Sequence, residues 1–318
     1  MQTAEKGKPA IVLNQKMMSS LEVALDRDYE VYRIAGRADI AAVPAAVRSR
    51  IRAIVTGGST GAAPELIEAL PALEIITVNG VGTDAVDLPH AKAHGVRVTN
   101  TPGVLTDDVA DMALGLILAT LRRLCVGDRL VRAGRWGKDA IPLATKFTGK
   151  RLGIVGLGRI GRAIAKRASG FDVQIAYTDQ QAFDDVPYRF EPSLVVLARD
   201  SDILVVAAAG GAASQNLVNQ EIFEALGPAG ILVNVARGSV VDEPALVEAL
   251  VAGRLGGAGL DVFEDEPHVP QALFGLEQVV LQPHQASATR ETREAMGRLV
   301  LDNLMAQFAG RPLPTAVC

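Results

Sequence analysis

The residues with the type and spacing to do chemistry fall into three groups. The first is a glycine turn, V-G-L-G-R-I-G, in which Gly156, Gly158 and Gly161 follow an apolar run, Leu152 to Val155, and lead into a helical pattern, Arg162 to Gly170. Strand, tight turn and helix in that order can seat a pyrophosphate. One glycine allows the turn, the next lets the phosphates approach the backbone, and the third lets helix and strand pack closely. The free N–H groups of the helix start, those of Arg159 and Ile160 among them, then face the anion with the helix dipole behind them. The second group ends the following strand, Tyr177-Thr178-Asp179-Gln180, with Asp179 placed 18 residues after Gly161. A carboxylate there accepts from a ribose 2′-hydroxyl and repels a 2′-phosphate. The next arginine is Arg189, ten residues on, so Thr178, Asp179 and Gln180 favour NAD(H) over NADP(H).

The third group could move a proton. Reducing a carbonyl by hydride needs a cation on the carbonyl oxygen, an acid to protonate the alkoxide, and a group to orient that acid. Of four histidines, His90 and His94 sit four apart on a helical stretch and read as surface or packing residues, and His268 lies in an ordinary Pro-rich loop. His284 directly follows a strand ending Leu281-Gln282-Pro283, at a carboxyl-end edge. Arg237 lies in a tight loop after the strand Ile231–Asn234. Glu264, Asp265 and Glu266 form an acidic run after Gly259–Val262, and spacing alone does not choose among them.

These residues need a frame of strand ends. Residues 10–100 alternate short strands (Ala10–Leu13, Glu30–Arg33, Arg52–Thr56, Glu74–Asn79) with helices (Ser19–Arg27, Val43–Arg50, Ala63–Leu70). Residues 149–285 repeat the alternation with strands at Leu152–Val155, Val173–Tyr177, Ile203–Ala207, Ile231–Asn234, Gly259–Val262 and Val279–Leu281. Both halves therefore predict doubly wound parallel α/β sheets, whose ligands sit at the carboxyl ends of strands. Thr101-Pro102-Gly103 interrupts the first alternation, and a helix is predicted from Thr106 to Leu124. Trp136 falls in a second helical stretch ending near Gly137, with packing as its plainer role. A helix at Asp242–Leu255 is capped by Asp242 and stopped by Gly256-Gly257. The last helix, Thr289–Phe308, returns the chain to the first domain. The predicted organisation is a Rossmann dinucleotide-binding domain over 101–287, inserted into a flavodoxin-like substrate domain made of 1–100 and 288–318.

Composition bounds the function. The chain has 318 residues, 49% hydrophobic and 21% charged, as in a globular α/β protein of about two domains. A net charge of −4 gives no footprint for nucleic acid. Cys125 and Cys318 match no disulfide or metal pattern, and no metal is read from the sequence. The start, M-Q-T-A-E-K-G-K-P, has no signal-peptide core, and no apolar run is long enough to span a bilayer, so a cytoplasmic location is expected.

Five stretches together resemble the D-isomer-specific 2-hydroxyacid dehydrogenase family: V-N-G-V-G-T-D (78–84), V-G-L-G-R-I-G (155–161), N-V-A-R-G-S-V-V-D-E (234–243), G-A-G-L-D-V-F-E-D-E-P (257–267) and P-H-Q-A-S-A-T (283–289). The 78–84, T-D-D-V-A-D and H-Q-A-S-A-T forms are most similar to reductases of glyoxylate, hydroxypyruvate and 2-ketogluconate. The resemblance implies an acid–base histidine at His284, paired with Glu266, and a substrate-binding arginine at Arg237. Gly57, Asn79, Gly80, Val81 and Gly82 stand at strand carboxyl ends and are read as substrate-binding, and the resemblance implies that the N–H groups of Val81 and Gly82 hold the carboxylate. Thr106, Ala208, Val235, Ala236, Asp261 and Ala286 would line the cofactor, and Trp136 would stand near the pocket, often reaching a second subunit. Two departures stand out. Gln285-Ala286-Ser287 replaces a Gly-Gly common in the family, and Thr178-Asp179-Gln180 resembles NAD-using members although the nearest reductases often prefer NADP. Other branches, of phosphoglycerate or formate dehydrogenase type, and a non-enzymatic NAD-dependent binding protein are the alternatives. An apolar face after Thr106 (Val109, Met112, Ala113, Leu116, Ile117) together with the resemblance predicts a homodimer through 106–136.

Overall fold

A computed structural model describes residues 7–35 and 37–318. Met1 to Lys6, which belong to the stretch read for a signal peptide, lie outside the described residues. In chain order the elements are β1 (Ala10–Leu13), α1 (Ser19–Asp28), β2 (Glu30–Arg33), α2 (Ala45–Arg48), β3 (Ile51–Gly57), α3 (Pro64–Glu68), β4 (Ile75–Asn79), α4 (Leu88–Ala93) and β5 (Arg97–Thr99). There follow α5 (Thr106–Leu121), α6 (Leu124–Arg132), β6 (Arg151–Val155), α7 (Arg159–Ala168), β7 (Gln174–Thr178), β8 (Arg189–Phe190), α8 (Leu194–Arg199) and β9 (Ile203–Val206). The chain closes with α9 (Gln220–Leu226), β10 (Ile231–Asn234), α10 (Glu243–Val251), β11 (Gly257–Leu260), β12 (Val279–Leu281) and α11 (Arg290–Phe308). It divides into two compact units, one ending at Leu105 and completed by Ala288–Cys318, the other Thr106–Ser287.

The first unit is a five-stranded sheet in the order β2-β1-β3-β4-β5, every pair parallel. This is the flavodoxin-like order, with its switch point between β1 and β3. Its central strands are apolar on both faces, as parallel strands covered by helices must be. One face packs Ile54, Ile76 and Val78 against Leu66 and Ile67 of α3 and Ala91 of α4. The other packs Ile11, Leu13 and Ile75 against Leu21 and Leu25 of α1 and Val300 and Leu304 of α11. Thr289 starts α11 by accepting from Thr292 N–H. The sequence reading missed β5, three residues that pair both with β4 and with the C-terminal segment, where Thr99 bridges Ala316.

The second unit is a seven-stranded parallel sheet in the order β12-β11-β10-β9-β6-β7-β8. Read from β6, this is the doubly wound dinucleotide order with one strand added, and its switch point falls between β6 and β9. The strand absent from the sequence reading is β8, two residues at the sheet edge, too short to show alternation.

Three expectations are corrected. The helix from Thr106 stops at Leu121, because Arg123 takes a left-handed conformation (φ 53°) and starts a separate α6. No glycine or proline marks that break. The second helical stretch ends at Arg132, so Trp136 lies in a turn, 81% exposed, and packs no core of its own unit. Gly256-Gly257 do not stop α10, which ends before Ala252; Gly257 opens β11 instead. Val109, Ala113, Leu116 and Ile117 are buried within their own unit, where α5 packs on α7, β10 and β11.

The approach of α5 to the sheet depends on a missing side chain. A Cβ on Gly259 of β11 would stand 2.9 Å from Leu116 Cβ and 3.3 Å from Thr120 Oγ1. We expect Gly259→Val to cost about 1–3 kcal/mol by overpacking, read as a lower denaturant midpoint. Unchanged stability would show that α5 is not held at that distance by the glycine.

Candidate active site

The glycine turn joins β6 to α7. Gly156 has φ 89°, and a Cβ there would lie 2.6 Å from Ala208 Cα, just past the end of β9. Gly161 faces the carbonyl of Gly156, so a side chain would push α7 off the strand. A Cβ on Gly158 would meet nothing within 4 Å. The turn is thus closed on two sides and open on the third, at the switch point, with the first N–H groups of α7 (Arg159, Ile160) directed out of the helix. Asp179, one residue past β7, accepts from Leu157 N–H at 2.7 Å and Gln180 N–H at 2.7 Å. The acidic group and the glycine turn are therefore one connected structure. Arg189 is turned to Asp200 and Glu191, while Arg162 pairs with Asp185 and lies over Phe183.

Further along the sheet, the ends of β10, β11 and β12 are laced together. Asp261 N–H donates to Asn234 O (3.0 Å), and His284 N–H donates to Asp261 O (2.8 Å). The Asn234 side chain accepts from Ala236 N–H and donates to Arg237 O, folding the Val235-Ala236-Arg237 loop back on its own strand. Gly238 lies so close to the backbone of Phe263 and Glu264 that any side chain would collide with it. This seats the Arg237 loop on the acidic run.

The structure chooses within that run. Glu266 Oε2 lies 2.7 Å from His284 Nδ1, and its Oε1 accepts from Phe263 N–H. Glu264 is engaged through its N–H by Glu243, and Asp265 pairs with the exposed His268. Burial works to raise the Glu266 carboxyl, but the hydrogen bond and charge of His284, the Phe263 N–H and the Arg237 charge outweigh it and hold it below the usual carboxylate value. With Glu266 an anion, Nδ1 is the donor of the pair, and Nε2 is the ring nitrogen left to face a substrate. His284 itself has φ 53°, a left-handed backbone that a non-glycine residue holds only when its surroundings require it.

Those surroundings are Asp261. Its side chain is buried, and its two oxygens accept from Gln285 N–H (2.7 Å) and Ala286 N–H (2.9 Å). Burial pushes its carboxyl above the usual value in spite of these donors. The sequence reading set Asp261 and Ala286 beside the cofactor; in the structure the Asp261 carboxylate is committed to the loop that carries His284. Gly238 and Asn234 were not singled out as site residues. The signal for Asn234 is an amide at a strand end two residues before a functional loop.

In the first unit the turns after β3 and β4 pack together, with Gly58 against Gly82 and Gly80 against Gly58. Thr101 N–H donates to Gly80 O, and Asn100 donates to Val81 O. Among the described residues the N–H groups of Val81 and Gly82 donate to no protein acceptor.

A glycine turn at the switch point and a Glu266 carboxylate held on His284 at the ends of the same sheet define the class: an oxidoreductase that uses a nicotinamide dinucleotide. Comparison with known proteins gives the family. Residues 114–286 match the D-isomer specific 2-hydroxyacid dehydrogenase NAD binding domain. A hydroxyphenylpyruvate reductase from Plectranthus scutellarioides is 52% identical over 95% of this chain and 96% of its own length. Glyoxylate/hydroxypyruvate reductase A from Arabidopsis thaliana is 51% identical over 95% and 96%. The crystal structure of an NADPH-dependent glyoxylate/hydroxypyruvate reductase from Sinorhizobium meliloti, in complex with NADP and malonate, superposes with a TM-score of 0.93 at 44% identity, covering 98% of this chain and 97% of that one. The chain belongs to the D-isomer specific 2-hydroxyacid dehydrogenase family.

Removing the Asp261 anchor should therefore act through His284. Asp261→Ala leaves two N–H groups without their acceptor, at about 1–3 kcal/mol each. We expect a lower thermal midpoint together with a loss of turnover larger than the loss of cofactor binding. Native turnover in a destabilised variant would show that the loop holds without the carboxylate.

Proposed function

We propose that the protein reduces a small 2-keto acid, with glyoxylate and hydroxypyruvate as the principal candidates and 2-ketogluconate as the third, to the D-2-hydroxy acid. The observation that carries this is the 2.7 Å contact between Glu266 and His284 on the sheet that bears the glycine turn. The residues fit a nicotinamide dinucleotide, because Gly158 leaves open space where a phosphate would approach and Asp179 stands beside the turn. Such a cofactor supplies the hydride when bound. Gly156, Gly158, Arg159, Ile160 and Gly161 would hold its phosphates, Thr178, Asp179 and Gln180 its ribose, and Thr106, Ala208, Val235, Ala236 and Ala286 would line it. Arg237 holds the carboxylate and draws charge onto the carbonyl oxygen, and His284 donates a proton from Nε2 to that oxygen. Glu266 orients the ring and balances its charge. In the first unit, taken by itself, the open N–H groups of Val81 and Gly82 support the reading of their turn as a carboxylate-binding one, with Gly57, Asn79 and Gly80 shaping it.

The test is a panel of glyoxylate, hydroxypyruvate, 2-ketogluconate and 4-hydroxyphenylpyruvate, each with NADH and NADPH. Highest kcat/KM on glyoxylate or hydroxypyruvate supports the reading, and preference for the aromatic acid moves the substrate assignment to that class. In the same assay His284→Ala should lower kcat by about 10²–10⁴-fold while cofactor binding stays near native. Near-native turnover would remove His284 from the chemistry.

We assign NAD(H) as the preferred cofactor on the Asp179 carboxylate. Asp179→Ser should raise the NADPH-to-NADH efficiency ratio, and a ratio that does not move would refute the assignment.

We also propose a homodimer through the 106–136 region and the segment that follows it. Support comes from apolar side chains left exposed beyond α5: Leu124, Val131, Trp136 and Leu143, the last 99% exposed. Light scattering should return twice the chain mass; a monomer mass at micromolar concentration would overturn this. No helix among the described residues is long and apolar enough to cross a membrane. Two unpaired cysteines, Cys125 and Cys318, support the cytoplasm as its compartment.

A further inference from the structure

A cluster in the first unit, unrelated to the glycine turn or the Glu–His pair, joins the ends of α3 and α4. Glu68 is the last residue of α3, His90 lies in α4, and His94 follows α4 as its cap. Each offers one ligand atom, and the three atoms lie within 4.8 Å of one another. We propose that Glu68, His90 and His94 form a binding site for a late first-row divalent cation, with Zn²⁺ as the probe ion.

The donor set suits such an ion. Two imidazoles and a carboxylate are a donor set that zinc takes, and three of them leave a fourth position for water or an external ligand. Glu68 and His94 line one surface cavity with Leu70, Pro71, Leu73 and Val96, which leaves space for that fourth group. The geometry is partly set. His90 Nε2 and Glu68 Oε1 are 3.5 Å apart, against about 3.4 Å for two donors on one tetrahedral zinc. The remaining edges close by rotation of His94 and Glu68, both exposed.

Two further features favour a cation over an ordinary ion pair. His90 Nε2 is buried, yet it makes no hydrogen bond, even to Glu68. A polar atom in that condition carries a desolvation penalty that a metal bond would remove. His94 Nδ1 lies 2.9 Å from the carbonyl oxygen of His90. Donation from Nδ1 fixes the tautomer whose lone pair is on Nε2, and a backbone carbonyl is the usual outer partner of a ligating histidine. The helix start is fixed as well, since Asp87 accepts from His90 N–H at 2.9 Å. The i,i+4 spacing brings the two rings together, 4.2 Å between centroids and tilted by 33°. An ion here would tie together two helices that cover one face of the five-stranded sheet.

The test uses the untagged full-length protein after chelation, titrated with Zn²⁺ by calorimetry and with Co²⁺ by visible absorption. One ion per chain, a Co²⁺ spectrum showing nitrogen ligation, and a thermal midpoint that rises with Zn²⁺ are expected. His94→Gln and Glu68→Gln change exposed side chains and should fold as the parent does, with the same midpoint in chelator. Each should weaken zinc at least about tenfold. No saturable binding by the parent would overturn the site. So would undiminished binding by His94→Gln or by the His90→Gln, His94→Gln pair, which would place the ion elsewhere. Loss in His94→Gln with full retention in Glu68→Gln would overturn the three-ligand set.

Discussion

The buried carboxylate of Asp261 is the constraint on which the candidate active site depends. A carboxylate out of water is costly unless its oxygens are matched by donors. Here the donors are the N–H groups of Gln285 and Ala286, the two residues after His284. The same residue uses its backbone N–H on β10 and its backbone oxygen on His284. The side chain and the two backbone groups of one residue thereby fix three neighbouring strand ends. The left-handed turn at His284 follows from this, because its own N–H and the next two are all bound to Asp261.

Electrostatics then divides two carboxyl groups of one loop. The Asp261 side chain is held by backbone N–H groups, and burial raises it. Glu266, five residues on, is also partly buried, but His284 and Arg237 more than offset that burial. One group is thereby suited to holding backbone and the other to carrying charge beside an imidazole. Glu243, across the loop, is likewise raised, by burial first and then by its acidic neighbours, whereas Glu266 is lowered.

Much of the fold was legible because parallel strands buried on both faces read as apolar runs. Ala10–Leu13 and Ile231–Asn234 coincide with β1 and β10. Two of the four edge strands gave no such signal: β5 and β8 are three and two residues long and are seen only through their pairing with a neighbour. The break at Arg123 was invisible for a related reason, since an arginine in a left-handed conformation carries no mark in its type. Within the site, strand ends pointed to His284 and Arg237, but spacing left three acids open. Only the folded loop shows Glu266 reaching the ring while Asp265 turns to His268. Glu68 and the histidine pair show the same limit: the i,i+4 spacing is in the sequence, whereas a partner 22 residues upstream of His90 is placed by the packing of two helices.

The return of α11 to the first unit has a consequence for assembly during synthesis. Val300 and Leu304 lie in the same core as Ile11, Leu21 and Leu25, and Ala316 bridges Thr99. The five strands made first therefore carry one incompletely covered apolar face until the last helix has left the ribosome. The inserted unit, complete by Ser287, has all its own strands earlier. The order of emergence thus opposes the order of completion: the unit begun first gains its covering helix only after the inserted unit has all its strands.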